Sequence, residues 1–122
     1  MGNKNNSQIG REGEEEASVF LIKNGFKILK RNYRFSSGEI DIIAQSGKEI
    51  IFVEVKSSNV FKEDYLEYSI NSRKQARIID AAKNFLLDFP EYSECMMRFD
   101  IIFISRKEEK IVHIKSAFNG IG

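Results

Sequence analysis

Two carboxylates and an amine stand inside runs that are otherwise apolar. Asp41 lies in Gly38-Glu39-Ile40-Asp41-Ile42-Ile43-Ala44, and Glu54 and Lys56 lie in Ile50-Ile51-Phe52-Val53-Glu54-Val55-Lys56. Both runs have the β-branched composition of strands, and Gly47-Lys48 between them reads as a two-residue turn. Such a loop pairs Ser46 with Glu49 and, counted outward, Asp41 with Glu54, whose Cβ atoms then stand roughly 5 Å apart on one face. Lys56, two residues on, shares that face, and Glu39 falls opposite it. A solvent-facing hairpin is apolar on one side only. Here Ile51, Val53 and Val55 line one side and Ile50 and Phe52 the other, so the charges mark a cleft or a strand end in a central hairpin. Paired carboxylates repel unless a cation separates them. Mg²⁺ accepts one or two such groups and fills its other positions with water and phosphate oxygens. A buried ion pair between Lys56 and one acid is the competing reading. The two differ in what Glu54→Gln does to the metal-free protein: a metal site predicts no loss of stability, an ion pair predicts a large one.

These residues need elements to position them. Apolar Ala17, Phe20 and Leu21 recur at helical spacing over 9–24. Glu14 falls on the side of Ala17 and Leu21 and leans toward the sheet, although acids early in a helix also serve its dipole. A strand over 26–35 carries Lys27, Lys30, Arg31 and Arg34, and Ser36-Ser37-Gly38 turns it into the hairpin. Residues 59–68 have no period and read as a loop with one turn of helix. A second helix runs over 72–88 with Pro90 beyond its end. Lys74 sits at the N-terminal end of its inward face, where it can reach the acids or cover apolar surface with its stem. Strands over 98–104 and 110–115 close the chain. The fold class is α/β, a mixed five-stranded sheet with flanking helices in the order α-β-β-β-α-β-β. His113 reads as an ordinary strand histidine, and Asp100 as the partner of Arg98 or Lys115.

The chain has 122 residues, 42% of them hydrophobic and 30% charged, which suits one globular domain (9–122) behind a flexible tail (1–8). Nineteen basic residues against eighteen acidic ones give a net charge of +1, so attraction to a polyanion must come from local clustering. Cys95 is single, which fits a reducing, cytoplasmic setting, and beside Met96 and Met97 it reads as packing. No apolar run is long enough to cross a bilayer, so no membrane partner is expected.

Gly10-Arg11-x-Gly13-Glu14-x-x-Ala17, Arg31-Asn32-Tyr33-Arg34, Gly38-Glu39-Ile40-Asp41, Phe52-Val53-Glu54-Val55-Lys56, Lys74-x-x-Arg77 and Arg98-Phe99-Asp100 resemble the YraN family of small bacterial proteins, from Gly10 to about Phe118. That family is similar to the archaeal Holliday-junction resolvases of the PD-(D/E)XK nuclease superfamily. The resemblance implies a restriction-endonuclease-like core and a metal-dependent endonuclease acting on branched DNA, with a non-catalytic nucleic-acid binder as the alternative. It implies Glu14, Asp41, Glu54 and Lys56 as catalytic residues. Mg²⁺ or Mn²⁺ would be held by Glu14, Asp41, Glu54 and the carbonyl of Val55. Arg31, Arg34, Lys74 and Arg77 would meet DNA, and a homodimer is compatible with this reading.

Overall fold

The computed structural model describes residues 6–36, 38–58, 70–105 and 107–119, the side chains of 6–9 and 58 excepted. Helix α1 (Asn6–Lys23) is followed by β1 (Lys27–Phe35), β2 (Gly38–Ser46) and β3 (Glu49–Ser58). Helix α2 (Ser72–Asp88), a 3-10 turn (Pro90–Tyr92), β4 (Met96–Ser105) and β5 (Lys110–Phe118) complete the chain. Residues 6–8, expected in the N-terminal tail, belong to α1; residues 1–5 and the expected loop at 59–68 lie outside the described residues.

The five strands form one sheet in the order β1-β2-β3-β4-β5. Only β3 and β4 run parallel, and α2 lies in the connection between them, as a parallel pair requires. This is the mixed α/β arrangement read from the sequence. The sheet is apolar on both faces, so it needs a helix on each. Ala17 and Leu21 of α1 pack on Ile42, Ala44, Ile51 and Val53. On the other face Ile78, Ala81, Ala82 and Phe85 of α2 pack on Ile40, Ile43, Ile50 and Phe52. Asn71 caps α2, its side-chain oxygen accepting from the Lys74 N–H at 2.9 Å.

Two glycines set how closely the helices approach. A Cβ on Gly13 of α1 would lie 1.6 Å from Ser57 Oγ, and one on Gly38 of β2 would lie 2.3 Å from the Arg77 carbonyl oxygen. The residues that follow them, Glu14 and Glu39, are therefore held where helix and sheet touch.

Strand β5 reaches three residues beyond the expected Lys115. Ser116 adopts a left-handed φ of 52°, and its N–H donates to Asp100 Oδ1 at 3.0 Å. The bulge absorbs a register shift, after which Phe118 pairs with Phe99 and stacks on it at 4.9 Å. Cys95 packs against the α2-side core, as its neighbours suggested.

Candidate active site

The expected hairpin register holds: Ser46 pairs with Glu49, and the ladder continues to Ile42 and Val53. There it stops, one step short of Asp41 and Glu54. Two observations explain the stop. Ile40 and Ile42 are two residues apart, yet they lie in cores on opposite faces of the sheet, so side-chain alternation breaks at Asp41. Across the sheet, Arg31 pairs with Ile42 and Tyr33 with Ile40, leaving Asn32 and Asp41 between them, and Asn32 has a left-handed φ of 52°.

At the break the Asp41 side chain takes over a bond that the ladder has given up, Oδ2 accepting from the Val55 N–H at 2.8 Å. In an extended strand the N–H and C=O of one residue face the same neighbour, so the Val55 carbonyl is directed toward the same opening. Glu54 is buried, 7% exposed. Lys74 Nζ donates to its Oε1 at 2.5 Å, and Lys56 Nζ stands 3.8 Å from the same oxygen.

Glu14 arrives from α1. With the Asn32 amide turned so that its nitrogen faces the carboxylate, it donates to Oε1 and Oε2 at 3.2 and 3.0 Å.

The electrostatics follow from burial and crowding. Burial first, then the charge of Glu54, push the Asp41 carboxyl up to about 7. Burial and then Glu39 push Glu14 up, against the pull of Arg31 and Asn32. Burial and the adjacent Lys74 hold Lys56 below the usual lysine range. Burial also pulls Lys74 down, but the hydrogen bond and charge of Glu54 more than offset it.

Of the residues expected at the site, Asp41, Glu54, Lys56 and Lys74 converge, and Glu14 stands near enough to act on Asp41. Arg34 and Arg77 line a cleft of about 760 Å³ over Asp41 and Glu54, and Arg73, Asn71 and Phe35 join them. Arg31 does not line it; its guanidinium pairs with Glu15 at 2.7 Å. Glu39 pairs with Arg34 at 3.7 Å, not with Lys56 as the extended register suggested. Sequence reasoning passed over Asn32 and Phe35. Asn32 carried a signal, an Asn in mid-strand that tolerates positive φ and so marks a bulge.

A second cluster lies apart from the cleft. Arg98 donates to both oxygens of the fully buried Asp100 at 2.8 and 2.9 Å and to Glu49 at 2.8 Å. His113 Nε2 meets Asp100 Oδ2 at 2.7 Å. Asp100 is thus the partner of Arg98 as expected, and His113 is its second partner rather than a lone strand histidine.

Among the described residues no three carboxylate, imidazole or thiol groups stand close enough to cage a metal by themselves. The donor set nonetheless fits an open Mg²⁺ site. Asp41 and Glu54 are hard, mutually repelling carboxylates beside a backbone carbonyl, and one of them already draws a cation, Lys74.

The model of the uncharacterised protein family UPF0102 matches residues 13–104, which include every residue described at the cleft. The chain belongs to the UPF0102 family. The motif resemblance is thereby borne out. A UPF0102 protein of Treponema pallidum (strain Nichols) is 39% identical over 97% of this chain and 98% of its own length. One of Clostridioides difficile is 41% identical over 93% and 99%, and one of Caldicellulosiruptor bescii 43% over 93% and 99%. Among solved structures, Pyrococcus furiosus SfsA in complex with Ca²⁺ aligns at 17% identity and a TM-score of 0.35 over 89% of this chain and 63% of that one. No described helix is long and apolar enough to cross a membrane.

Proposed function

We propose that this UPF0102 protein is a divalent-metal-dependent nuclease that hydrolyses phosphodiester bonds in DNA, preferring branched or flapped substrates to plain duplex. The observation that carries the reading is the opening of the β2–β3 ladder at Asp41, beside which two repelling carboxylates and Lys74 line an arginine-rimmed cleft, with Lys56 3.8 Å from Glu54. A structural ion pair accounts for Lys74 and Lys56 against Glu54 but not for Asp41, a second, part-buried acid that is pushed up by burial and by Glu54 and has no ion pair among the described residues.

Asp41 and Glu54 would hold Mg²⁺ or Mn²⁺, with the Val55 carbonyl beside them and Glu14 near enough to bear on the ion through water. A metal there supplies Lewis acidity toward the scissile phosphate and a bound water of lowered pKa. The remaining work falls to the chain. Lys56, anchored beside Glu54, orients the attacking water or offsets charge developing on the phosphate. The Val55 N–H fixes the Asp41 carboxylate, and Asn32 fixes Glu14. Arg34, Arg73 and Arg77 line the route by which a phosphate backbone reaches the acids.

The test is a cleavage and binding panel on labelled linear, flapped and four-way DNA with Mg²⁺ or Mn²⁺. Wild type is expected to cut branched substrates, Asp41→Ala to be inactive, and Lys56→Ala to bind almost normally without turnover, because the loss falls on the transition state. Cutting that persists in both variants exposes a contaminant. Binding without cutting under any divalent ion hands the case to a non-catalytic nucleic-acid binder.

A further inference from the structure

Phe35 is the last residue of β1, and its cross-strand partner is Gly38, which offers no side chain to cover it. Two residues earlier on the same strand face, Tyr33 is closed over edge-on by Phe85 at 5.5 Å, and its hydroxyl is tied to Asp88. Phe35 has no ring partner among the described residues and remains 38% exposed. It lines the cleft that holds Asp41 and Glu54, together with Arg34 on its own strand and Arg73 and Arg77 on α2. An apolar ring is a poor choice for the lining of a charged cleft unless something flat and apolar comes to rest on it. Of the polyanions that three guanidiniums would draw, a nucleic acid brings such a surface, and only an unpaired base has its face free, since a base inside duplex is stacked on both sides.

We infer that Phe35 is a stacking platform for an unpaired nucleobase next to the scissile phosphate that the arginine rim brings to Asp41 and Glu54, so that the substrate class is nucleic acid with a single-stranded segment at the cleavage point. This rests on the nucleic-acid reading above and narrows it: flaps, single-stranded overhangs, loops and the open centre of a junction qualify, and fully paired duplex does not. The ring faces a base of any sequence, so the selection is for structure and not for sequence.

The test measures binding without cleavage, in Ca²⁺ and again in EDTA, for a labelled single strand, a flapped duplex and a blunt duplex, with the melting temperature of each variant as a folding control. Phe35→Ala is expected to weaken the single strand and the flap on the order of ten-fold, the size of one lost base–aromatic stack, and to leave blunt duplex within about two-fold. Phe35→Trp is expected to restore binding. A single strand carrying 2-aminopurine should be quenched on wild type and Phe35→Trp and stay bright on Phe35→Ala. Equal loss on all three substrates, no loss on any, or unchanged quenching overturns the platform. So does a Phe35→Ala variant that changes only the oligomeric state, which would make the ring a contact between copies. A wild-type protein that binds no nucleic acid removes the platform and the nuclease reading together, whereas platform behaviour in a protein that never cuts upholds the platform and rejects only hydrolysis.

Discussion

Asp41 and Glu54 were expected to repel each other across the hairpin, and the structure gives them different surroundings. Glu54 has two ammonium groups within 4 Å, Lys74 at 2.5 Å and Lys56 at 3.8 Å, so Glu54→Gln would strand both cations. The structure thus shows the ion pair at Glu54, Glu54→Gln is expected to cost stability whether or not a metal binds, and the substitution no longer separates the two readings. The acid that carries the unrelieved repulsion is Asp41, whose hydrogen-bond partner among the described residues is one backbone N–H. Its carboxyl is raised to about 7 from 3.8. A raised folded-state pKa contributes stability that is complete below the unfolded value and is lost as pH rises through the folded one. The metal-free protein should accordingly lose stability between about pH 4 and pH 8, by about 4 kcal/mol if Asp41 acts alone. Asp41→Asn keeps an acceptor for the Val55 N–H and cannot ionise, so its unfolding free energy in EDTA should be flatter over that range and higher than wild type at pH 8. Urea titrations of both proteins at pH 5 and pH 8 decide it; parallel curves would show that Asp41 is not strained by its neighbours.

At the scale of elements, the site depends on helix α1 lying directly on β3. Alanine is ordinarily the better helix residue by about 1 kcal/mol, but at Gly13 the added Cβ meets Ser57 Oγ at 1.6 Å and Ser57 Cβ at 2.8 Å. Gly13→Ala should therefore destabilise, by roughly 1 to 3 kcal/mol for overpacking, in a chemical unfolding series. Ser57 Oγ is buried with no hydrogen-bond partner among the described residues. Ser57→Ala alone should thus cost little, and combined with Gly13→Ala it should recover part of the loss, the Cβ contact remaining. An outright gain in stability from Gly13→Ala would mean that α1 does not lie so close. The Asp100 cluster makes a second prediction, on the strands. Burial raises Asp100, but the hydrogen bonds from His113, Arg98 and the Ser116 N–H outweigh it and hold the carboxyl below its usual value of 3.8. A depressed carboxylate stabilises above the unfolded pKa and loses that contribution as pH falls through the folded one. The β4–β5 hairpin should then loosen below about pH 3.8, first seen as faster amide exchange of Ser116, and Asp100→Asn should show the loosening already at pH 7. These two packing features also mark where the sequence was legible. The hairpin could be counted residue by residue because Gly47-Lys48 fixes its register and both its faces are apolar. The partners of Lys74, Asn32 and His113 could not, since each depends on how a helix seats or where a strand bulges, which no local pattern encodes.

For the molecule as a whole, a net charge of +1 describes no surface in particular. Much of the basic set is spent internally: Arg31 on Glu15, Arg98 on Glu49 and Asp100, and Lys74 on Glu54. Lys30 lies over the Phe89 ring at 5.0 Å. What remains at the cleft is Arg34, weakly held by Glu39, with Arg73 and Arg77, which have no ion pair among the described residues. This bounds how any polyanion can be held. Each phosphate neutralised on a single strand contributes about −0.7 to the slope of log K against log salt. Three arginines therefore predict a slope of about −2 for single-stranded DNA, and Arg77→Ala should reduce it to about −1.4. A slope near zero would mean that the rim does not meet phosphate, and one steeper than about −5 would place the contact on some other, larger surface. Phe35→Ala should leave the slope unchanged and lower the whole line instead, because stacking releases no counterions. Rim and platform are thus separable in one titration series: arginine substitutions tilt the line, and loss of the ring displaces it.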